Sequence, residues 1–365
     1  MKLLMDARNL GSKPSGVGMY AYNWIKALEE YNDVEIHVIV DVLESGQIKS
    51  LNSDSQVHVH CMGTFSNKSA AVFKYFKYVQ QMIDDVKPDI FWEINNLAPV
   101  KLRNLHGKYI VTIHDMVPLT MPECFGRIYP YYFRYGVWKT INNVDAIVYN
   151  SNCTKQDTER FFPKAKNKTN FISYNIIPPI PEMDVEQNDY FLYMGNLEKR
   201  KGVDILLDAY ELYVQQGGQR ELVIAGKVRE DDIGVQLERM EVKLSGLHYM
   251  GYANDEMRTR LYRECGCFVF PSRAEGFGMP VIEAMQCGKP VITSDLPIFD
   301  ELVGNVVKSF SLRGDDADRK RLSVVLGDYD ASCHDMIDVQ SIKAVAHKYG
   351  ADALAERFVE FLKEI

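Results

Sequence analysis

Two glutamates in one short stretch are the residues of this chain best suited to chemistry. Glu275 and Glu283 lie eight positions apart within residues 271–285. Gly276 and Gly278 follow the first of them and allow backbone conformations and close ligand contacts that a Cβ atom would block. The stretch therefore brings two carboxylates into one neighbourhood beside a flexible turn. Glutamates at this spacing also occur often on ordinary solvated surfaces.

The residues around these carboxylates indicate a strand, a turn and the start of a helix. Residues 265–270 form an apolar run of strand length, and Pro271 cannot continue strand pairing. A helical pattern begins at Met279, with Pro280 in its first turn and Gly288 beyond its end. The N–H groups and partial positive charge at the start of a helix attract anions. We interpret the stretch as an active-site loop suited to a diphosphate.

A second loop supplies two cations. Arg200 and Lys201 stand between a strand predicted at residues 190–194 and a helix predicted at residues 203–215. Full positive charges next to the N–H groups of a helix start favour binding of a diphosphate. The alternative is a solvated run of charges with no ligand.

Two further candidate sites follow predicted strands in the first half of the chain. Gly16 and Gly18 stand in a loop before a helix predicted at residues 19–30, and His114 follows a strand predicted at residues 108–113. Parallel sheets bind ligands at the carboxyl ends of their strands. The glycine spacing is not that of a dinucleotide-binding fingerprint. A plain strand-to-helix turn and a structural histidine are the alternatives.

The pattern of strands and helices predicts two domains. Strands and helices alternate in both halves of the 365-residue chain, and three prolines between residues 175 and 181 mark a boundary. The length also suits two domains of about 150 to 200 residues. We place the first domain at residues 1–176 and the second at residues 184–348. Both are predicted to be α/β with a parallel sheet.

Composition excludes several classes of protein. Apolar residues make up 46% of the chain and charged residues 25%, as in folded globular domains. No apolar run approaches the roughly 18 residues of a membrane span, and the first residues meet an acid too early for a signal peptide, so we expect a cytoplasmic protein. The seven cysteines predict reduced thiols, with Cys265 and Cys267 in the core. We find no Asp-x-Asp and no His/Cys cluster at ligand spacing and predict no metal site.

Charge is shared unevenly between the halves. Lys and Arg exceed Asp and Glu by 3 in residues 1–180, whereas acids exceed bases by 11 in the remainder. Residues 70–86 mix aromatic side chains with lysines, and residues 121–138 are rich in aromatics. These features favour a peripheral contact of the first domain with an anionic membrane surface or a lipid-linked acceptor. Drift of surface charge and helices packed inward are the alternatives. We expect no nucleic-acid partner.

Two motifs of the second half resemble those of one enzyme family. Ser-Arg-Ala-Glu-Gly-Phe-Gly-Met-Pro-Val-Ile-Glu-Ala-Met at residues 272–285 closely resembles the donor-site signature of the retaining glycosyltransferases of family 4. Gly-Asn-Leu-Glu-Lys-Arg-Lys at residues 195–201 resembles their diphosphate loop, although many members have arginine where this chain has Asn196. The resemblance implies the GT-B fold, with two Rossmann-like parallel-sheet domains facing each other across a cleft. It also implies that the last helix, residues 351–365, packs back onto the first domain.

The resemblance implies a role for each candidate residue. In the second domain, the diphosphate is neutralised by Arg200 and Lys201, the ribose is bound by Glu283, and the transferred sugar is held by Glu275 with the backbone N–H groups of Gly276, Phe277 and Gly278. In the first domain, Gly16 and Gly18 come near the donor phosphates, and His114 reaches the donor sugar or the acceptor.

The implied reaction is retaining, metal-independent transfer of a hexose in polysaccharide or glycoconjugate biosynthesis, and the motifs look most like those of relatives that transfer mannose. The donor is a GDP- or UDP-linked sugar, no cofactor is needed, and the acceptor is a glycan or a lipid-linked sugar. The departing phosphate accepts the proton of the attacking hydroxyl group. Two alternatives remain open at this point: a nucleotide-sugar epimerase of similar two-domain fold, and an inactive partner subunit that binds nucleotide sugar.

Overall fold

The computed structural model describes residues 1–11, 16–52, 56–63, 68–98, 101–331 and 338–365. The chain separates into two compact units, Met1–Pro178 with Gly350–Ile365, and Pro179–Tyr349. Each unit contains one parallel sheet and flanking helices, which confirms the predicted α/β class with two Rossmann-like domains. Ser15 and Pro14, in the loop predicted to carry the first glycines, lie outside the described residues.

The sheet of the first unit has seven strands. They are β1 (Lys2–Asp6), β2 (Glu35–Val40), β3 (Val57–Cys61), β4 (Ile90–Glu93), β5 (Lys108–Ile113), β6 (Ala146–Tyr149) and β7 (Thr169–Ile172). Their order is β3-β2-β1-β4-β5-β6-β7, and all neighbours are parallel. The order reverses between β1 and β4, and parallel sheets bind ligands outside the carboxyl ends of strands at such a reversal.

Helices cover this sheet and bury its apolar strands. They are α1 (Gly16–Leu28), α2 (Gly46–Asn52), α3 (Lys68–Val86), α4 (Val117–Thr120), α5 (Tyr129–Asn143) and α6 (Asn152–Phe161). All four residues of β4 are buried, as expected for a central strand covered on both faces. The apolar side chains divide into two clusters of buried residues, one on each face of the sheet.

The last helix of the chain belongs to the first unit. Ala351–Glu364 forms a helix whose apolar side chains recur at helical spacing, and it contacts α1. The ring of Phe358 lies 4.6 Å from that of Trp24 and 4.9 Å from that of Trp92, measured between centroids. The carboxyl-terminal residues therefore complete the core of the amino-terminal unit.

The sheet of the second unit has six parallel strands. They are β8 (Phe191–Met194), β9 (Leu222–Ala225), β10 (Leu247–Tyr249), β11 (Cys267–Phe270), β12 (Val291–Ser294) and β13 (Lys308–Phe310), arranged as β10-β9-β8-β11-β12-β13. Its helices are α7 (Val203–Gln215), α8 (Asp231–Lys243), α9 (Asp255–Glu264), α10 (Met279–Gln286), α11 (Pro297–Val303), α12 (Asp318–Ala331) and α13 (Val339–His347); Ala351–Glu364 is α14. Here the strand order reverses between β8 and β11, so the loops after these two strands leave the sheet side by side.

Two smaller features follow from burial and helix length. Cys265 and Cys267 are fully buried, as predicted for core thiols. Among the helices that the structure describes, none is both long enough and apolar enough to cross a bilayer.

Candidate functional site

Two loops of the second unit lie in direct contact: the basic loop, residues 195–202, and the acidic loop, residues 271–278. The first follows β8 and the second follows β11, and these strands are parallel neighbours. Gly202 adopts a left-handed conformation with φ of +72°, and a Cβ atom there would stand 1.9 Å from the carbonyl oxygen of Pro271. The Arg273 N–H donates a 2.8 Å hydrogen bond to the carbonyl of Arg200. Glycine at position 202 therefore lets the two loop backbones pack against each other.

Glu275 joins the two loops through its carboxylate. Its side chain is only 7% exposed, and one oxygen accepts from Lys201 Nζ at 2.5 Å and from Ser272 Oγ at 2.7 Å. Arg200 lies beside it, with one guanidinium nitrogen 3.9 Å from the other carboxylate oxygen. The structure thus brings together three predicted site residues that come from two distant motifs.

The charges of this cluster balance one another. Arg200 pairs with Glu198 at 2.6 Å and donates to the carbonyl of Ala274 at 2.9 Å, while Lys201 pairs with Glu275. Two cations and two carboxylates leave no net charge, so a diphosphate has to compete with carboxylates for these donors. Burial, and then the nearby charges of Glu275 and Glu198, raise the pKa of the Tyr193 phenol, which stays neutral beneath the cluster.

The helix after the acidic loop begins next to a glycine. Gly278 precedes α10 with φ of +95°, and a Cβ atom there would lie 2.7 Å from the Phe299 ring. Pro280 has no N–H and the Val281 N–H donates to the Gly278 carbonyl at 3.0 Å, so the helix offers a ligand mainly the positive end of its dipole. The Phe277 side chain is buried and packs edge-on against Tyr349, with 5.6 Å between centroids.

Glu283 is held by a different set of partners from Glu275. Arg258 NH1 lies 3.1 Å from one carboxylate oxygen, and the Tyr262 hydroxyl donates to the other at 2.8 Å. Burial, and then the charge of Glu283, raise the pKa of Tyr262; Glu283 also raises the pKa of Arg258 although burial opposes this. Arg258 and Tyr262 were not identified from the sequence. Their spacing of four residues on an amphipathic helix just before β11 is the signal that indicates them.

Asn196 has an arginine beside it. Arg229 Nε lies 3.3 Å from the Asn196 side-chain oxygen, and residues 197 and 228 form a parallel bridge that joins the loops after β8 and β9. An arginine from the neighbouring loop therefore stands next to the position at which many members of the resembled family have one. Sequence spacing gave no signal for this proximity, because it depends on the pairing of β8 with β9.

In the first unit, His114 is buried and neutral. Its backbone N–H donates to the Asn96 side chain at 2.6 Å, and its ring Nε2 lies 2.7 Å from the carbonyl of Ile94. That carbonyl fixes Nε2 as the donor, so Nδ1 holds the lone pair. Burial lowers the pKa of His114 to about 4. The adjacent Asp115 accepts from the Val117 N–H at 3.1 Å, at the start of α4.

Gly16 and Gly18 belong to a helix rather than to a loop. α1 begins at Gly16, three residues earlier than the predicted start, because a buried face extends through Gly18. A Cβ atom on Gly18 would stand 2.1 Å from the carbonyl oxygen of Asn9. Close packing of α1 on the preceding turn therefore requires glycine at position 18, whereas Gly16 is exposed.

A buried cluster that the sequence did not reveal lies where the strand order of the first unit reverses. Asp6 and Glu93 end β1 and β4, are paired in register, and are both almost fully buried. The Tyr75 hydroxyl lies 2.7 Å from Asp6 and 2.9 Å from Glu93. Arg8 bonds Asp6 through Nε and NH2, and its guanidinium lies 3.4 Å from the Tyr75 ring centroid. Burial, and then the charge of Asp6, raise the pKa of Glu93 to about 8, so Glu93 is protonated at neutral pH.

Comparison with known proteins agrees with this architecture. A sequence profile described as "Glycosyltransferase Family 4" matches residues 14–173, and one described as "Glycosyl transferases group 1" matches residues 181–320. The chain is 25% identical over 329 residues to O-antigen chain mannosyltransferase B of Escherichia coli, covering 84% of this chain and 85% of that one. It is 23% identical over 315 residues to the O-antigen chain mannosyltransferase RfbU of Salmonella typhimurium, with 83% and 85% covered.

Solved structures share the fold. The Anabaena protein HepE in complex with UDP and glucose superposes with a TM-score of 0.76 at 18% identity, over 100% of both chains. Sucrose-phosphate synthase from Thermosynechococcus elongatus gives a TM-score of 0.76 at 14% identity, over 100% of this chain and 98% of that one. With two parallel-sheet units and both profiles matched, the chain belongs to the family 4 glycosyltransferases of GT-B fold.

Proposed function

We propose that this glycosyltransferase moves mannose from a nucleotide diphosphate donor to a glycan or lipid-linked acceptor in the synthesis of a polysaccharide or glycoconjugate. The contact of Lys201 with Glu275 is the observation that carries the proposal. It joins the loop proposed to bind the diphosphate to the loop proposed to bind the sugar, at one edge of a sheet. Mannosyltransferases of O-antigen chains among the relatives support mannose. HepE in complex with UDP-glucose supports a nucleotide diphosphate donor, without deciding between GDP and UDP for this chain.

The second unit is the donor-binding unit in this proposal. Arg200, Lys201 and the positive amino end of α10 receive the diphosphate, and Arg229 stands close enough to Asn196 to add a contact. Negative charge grows on the bridging oxygen as the sugar departs. Preorganised cations and N–H dipoles stabilise that charge in the transition state, so the reaction needs no metal ion.

The two glutamates divide the rest of the donor between them. Glu275 and the backbone at Gly276, Phe277 and Gly278 hold the transferred sugar, and Glu283 binds the ribose hydroxyl groups. Carboxylates suit this task because each oxygen accepts two hydrogen bonds from hydroxyl groups. Arg258 and Tyr262 position Glu283 without touching the donor. The configuration of the sugar is retained, with the departing phosphate taking the proton of the acceptor.

The first unit is the acceptor-binding unit in this proposal. His114 approaches the acceptor as a neutral hydrogen-bonding group. A histidine with a pKa near 4 carries no extra proton at neutral pH and cannot act as a general acid there. Its contribution is therefore to orient a hydroxyl group rather than to carry a positive charge.

An exposed aromatic surface on α5 supports contact with a lipid-linked acceptor at a membrane. The α5 aromatic surface consists of the exposed residues Tyr131, Tyr132, Tyr135 and Trp138, and the exposed side chain of Ile128 lies just before α5. Tyr131 is 77% exposed, and the basic residues Arg127 and Arg134 lie within the same segment. A cavity of about 390 Å³ is lined by Tyr131, Arg134, Tyr135, Trp138, Phe161 and Phe162. Aromatic rings with arginines among them suit the interface of an anionic bilayer, so we propose a cytoplasmic enzyme that binds the inner membrane face peripherally.

A panel of donors tests the reaction. The full chain is mixed with GDP-mannose, UDP-glucose and related nucleotide sugars, and thermal unfolding is measured for each. A ligand that binds the folded chain raises the midpoint, and the shift grows with the ratio of its concentration to its dissociation constant. We expect GDP-mannose to give a large shift and, with a lipid-linked sugar acceptor, a new glycoside. Release of a free epimerised sugar, or no shift with any nucleotide sugar, would contradict the proposal.

Vesicles test the membrane contact. The full chain is sedimented with vesicles of phosphatidylglycerol and phosphatidylcholine, and a Tyr131→Ser, Trp138→Ser variant is compared with it. The control is Val242→Ser, which removes a 91% exposed apolar side chain from α8. We expect the double variant to lose most vesicle binding and the control to keep it. Equal binding of the wild type and the double variant would exclude the α5 aromatic surface as the contact.

A further inference from the structure

Four side chains of types that bind transition metals lie on one face of two neighbouring strands. β2 contributes Glu35 and His37, and β3 contributes His58 and His60. His37 pairs with His58 in the parallel register, and side chains two residues apart on a strand share a face. The spacing of residues along the sequence did not indicate this cluster. The pairing of β2 with β3 creates a grouping that neither strand carries alone.

His37 is at the centre of this cluster. Its Nε2 lies 2.9 Å from Glu35 Oε1, and its Nδ1 lies 2.9 Å from His60 Nε2. Its ring stacks on that of His58, with 4.6 Å between centroids and 24° between planes. One ligand atom from each of Glu35, His37 and His58 lies within 4.8 Å of the other two. Three possible ligands thus converge on one point.

The distances are close to those of a zinc site. Zinc binds imidazole nitrogen at about 2.0–2.1 Å and carboxylate oxygen at about 2.0–2.2 Å, so ligand atoms in a tetrahedron stand roughly 3.4 Å apart. The Glu35 and His37 atoms are already closer than this. His58 has to approach by little more than about 1 Å. The Glu35 side chain is 41% exposed and His58 is exposed, so both can rotate.

The second nitrogen of His37 has the partner that a metal ligand needs. A histidine that binds a metal through one ring nitrogen usually donates its other N–H to a neighbouring group, which fixes the ring. His60 Nε2 occupies that place beside His37 Nδ1. With a metal on Nε2, His37 donates from Nδ1 to His60. The proton now between His37 and Glu35 is the one that the ion replaces.

We propose that Glu35, His37 and His58 form a binding site for a divalent transition-metal ion, with Zn²⁺ the best-suited ion and His60 orienting His37. Imidazole nitrogen suits zinc, copper, iron and nickel, and two histidines with one glutamate are a ligand set that zinc takes. The ion bridges β2 to β3, which is an edge strand of the sheet. Glu35 and His58 stand near the amino ends of their strands, whereas parallel sheets bind substrates at the carboxyl ends. The site therefore stabilises the first unit and is independent of the proposed transfer reaction.

A nearby lysine provides a second test, in which a substitution should strengthen metal binding. Lys2 Nζ lies 3.4 Å from Glu35 Oε1, and its side chain is 46% exposed. A cation at that distance competes with a metal ion for the carboxylate. Removing the ammonium group by Lys2→Gln should therefore tighten metal binding, while removing a ligand weakens it.

Metal titration of the full chain, stripped with a chelator and exchanged into clean buffer, tests the site. Zn²⁺ is titrated by calorimetry, and Co²⁺ is followed by its visible absorption. We expect one ion per chain, a loss of affinity of about 100-fold in His58→Ala, and a gain of about threefold in Lys2→Gln. The control is His248→Ala in the second unit, where His248 lies 3.5 Å from Glu221 without a third ligand grouped with them among the described residues. It should bind like the wild type.

Thermal unfolding provides a second readout. Zn²⁺ should raise the unfolding midpoint of the wild type and of His248→Ala, and leave that of His58→Ala unchanged. The proposal is overturned if the wild type takes up no ion at 100-micromolar-scale Zn²⁺, or if His58→Ala binds with unchanged affinity. It is also overturned if binding survives in His58→Ala and is lost in Cys61→Ser, because the exposed thiol of Cys61 would then be the ligand.

Discussion

Replacing Glu275 by glutamine separates a binding role of the carboxylate from a structural one. The side chain is 7% exposed and contacts Lys201 at 2.5 Å and Ser272 at 2.7 Å. Glutamine keeps the length of the side chain and one carbonyl acceptor, but it removes the negative charge. The substitution therefore leaves the loop filled while it changes what the loop offers to a sugar hydroxyl group.

The cost in stability follows from these contacts. A hydrogen bond to a charged group contributes about 1.5–3 kcal/mol and a neutral one about 0.5–1.5 kcal/mol, so glutamine should cost about 1–2 kcal/mol. Alanine would remove both contacts and leave Lys201, whose side chain is 15% exposed, without its closest carboxylate. Breaking such a buried pair costs about 3–5 kcal/mol. Glutamine is therefore the sharper test, because the second unit should stay folded.

We expect Glu275→Gln to slow sugar transfer by at least about 100-fold, or about 2.7 kcal/mol in the activation barrier. Binding of the nucleoside diphosphate should stay within about threefold of wild type or become tighter, because a negative charge beside the phosphate-binding cations has gone. Single-turnover transfer with a labelled nucleotide sugar measures the first effect. Calorimetry with GDP and UDP measures the second.

The control is Glu264→Gln. Glu264 is also a nearly buried glutamate of the second unit, 9% exposed and 2.6 Å from Arg260, but it lies outside the proposed site. It should lose comparable stability and keep full transfer activity. If Glu275→Gln transfers sugar within about fivefold of wild type, the carboxylate does not hold the sugar. If nucleotide binding and transfer disappear together, its role is structural.

Three further predictions test other parts of the reasoning. Tyr262→Phe removes the 2.8 Å hydrogen bond to Glu283 and should raise KM for the donor about fivefold with kcat within about twofold, by steady-state kinetics; an unchanged KM would refute its positioning role. Gly202→Ala places a Cβ atom 1.9 Å from a carbonyl of the acidic loop, so it should destabilise the second unit by more than about 2 kcal/mol and weaken diphosphate binding. Gly217→Ala, with φ of +96° and no atom within 4 Å, should cost only about 1 kcal/mol in urea unfolding; equal losses would contradict the role of loop contact. Burial raises the pKa of Glu93 from 4.5 to about 8. Between these two values the folded chain keeps a proton on Glu93 that the unfolded chain has lost. The free energy of unfolding should therefore fall as pH rises from 4.5 to 8, by up to about 1.4 kcal/mol per pH unit. Glu93→Gln should abolish that component of the slope in urea unfolding between pH 5.5 and 7.5, and parallel curves for wild type and variant would show that Glu93 is ionised.

Local patterns predicted most of the elements. The apolar patterns predicted β5 and α7 at the bounds that the structure has. The motif around Glu275 was sufficient to indicate the family, which the two matched profiles confirm. The start of α1 was misplaced because two glycines in four residues resemble a loop, although Gly18 is required there for close packing.

The sequence thus determined which side chains can do chemistry, but only the tertiary structure decided which of them lie in contact. Lys201 meets Glu275 across 74 positions, and Tyr75 meets Asp6 across 69. Arg258 and Tyr262 reach Glu283 from another helix, and Glu35, His37 and His58 converge from two strands. Each of these groupings depends on which strands become neighbours in a parallel sheet. Strand order is set by the packing of whole helices and strands, and the period of any one segment carries no information about it.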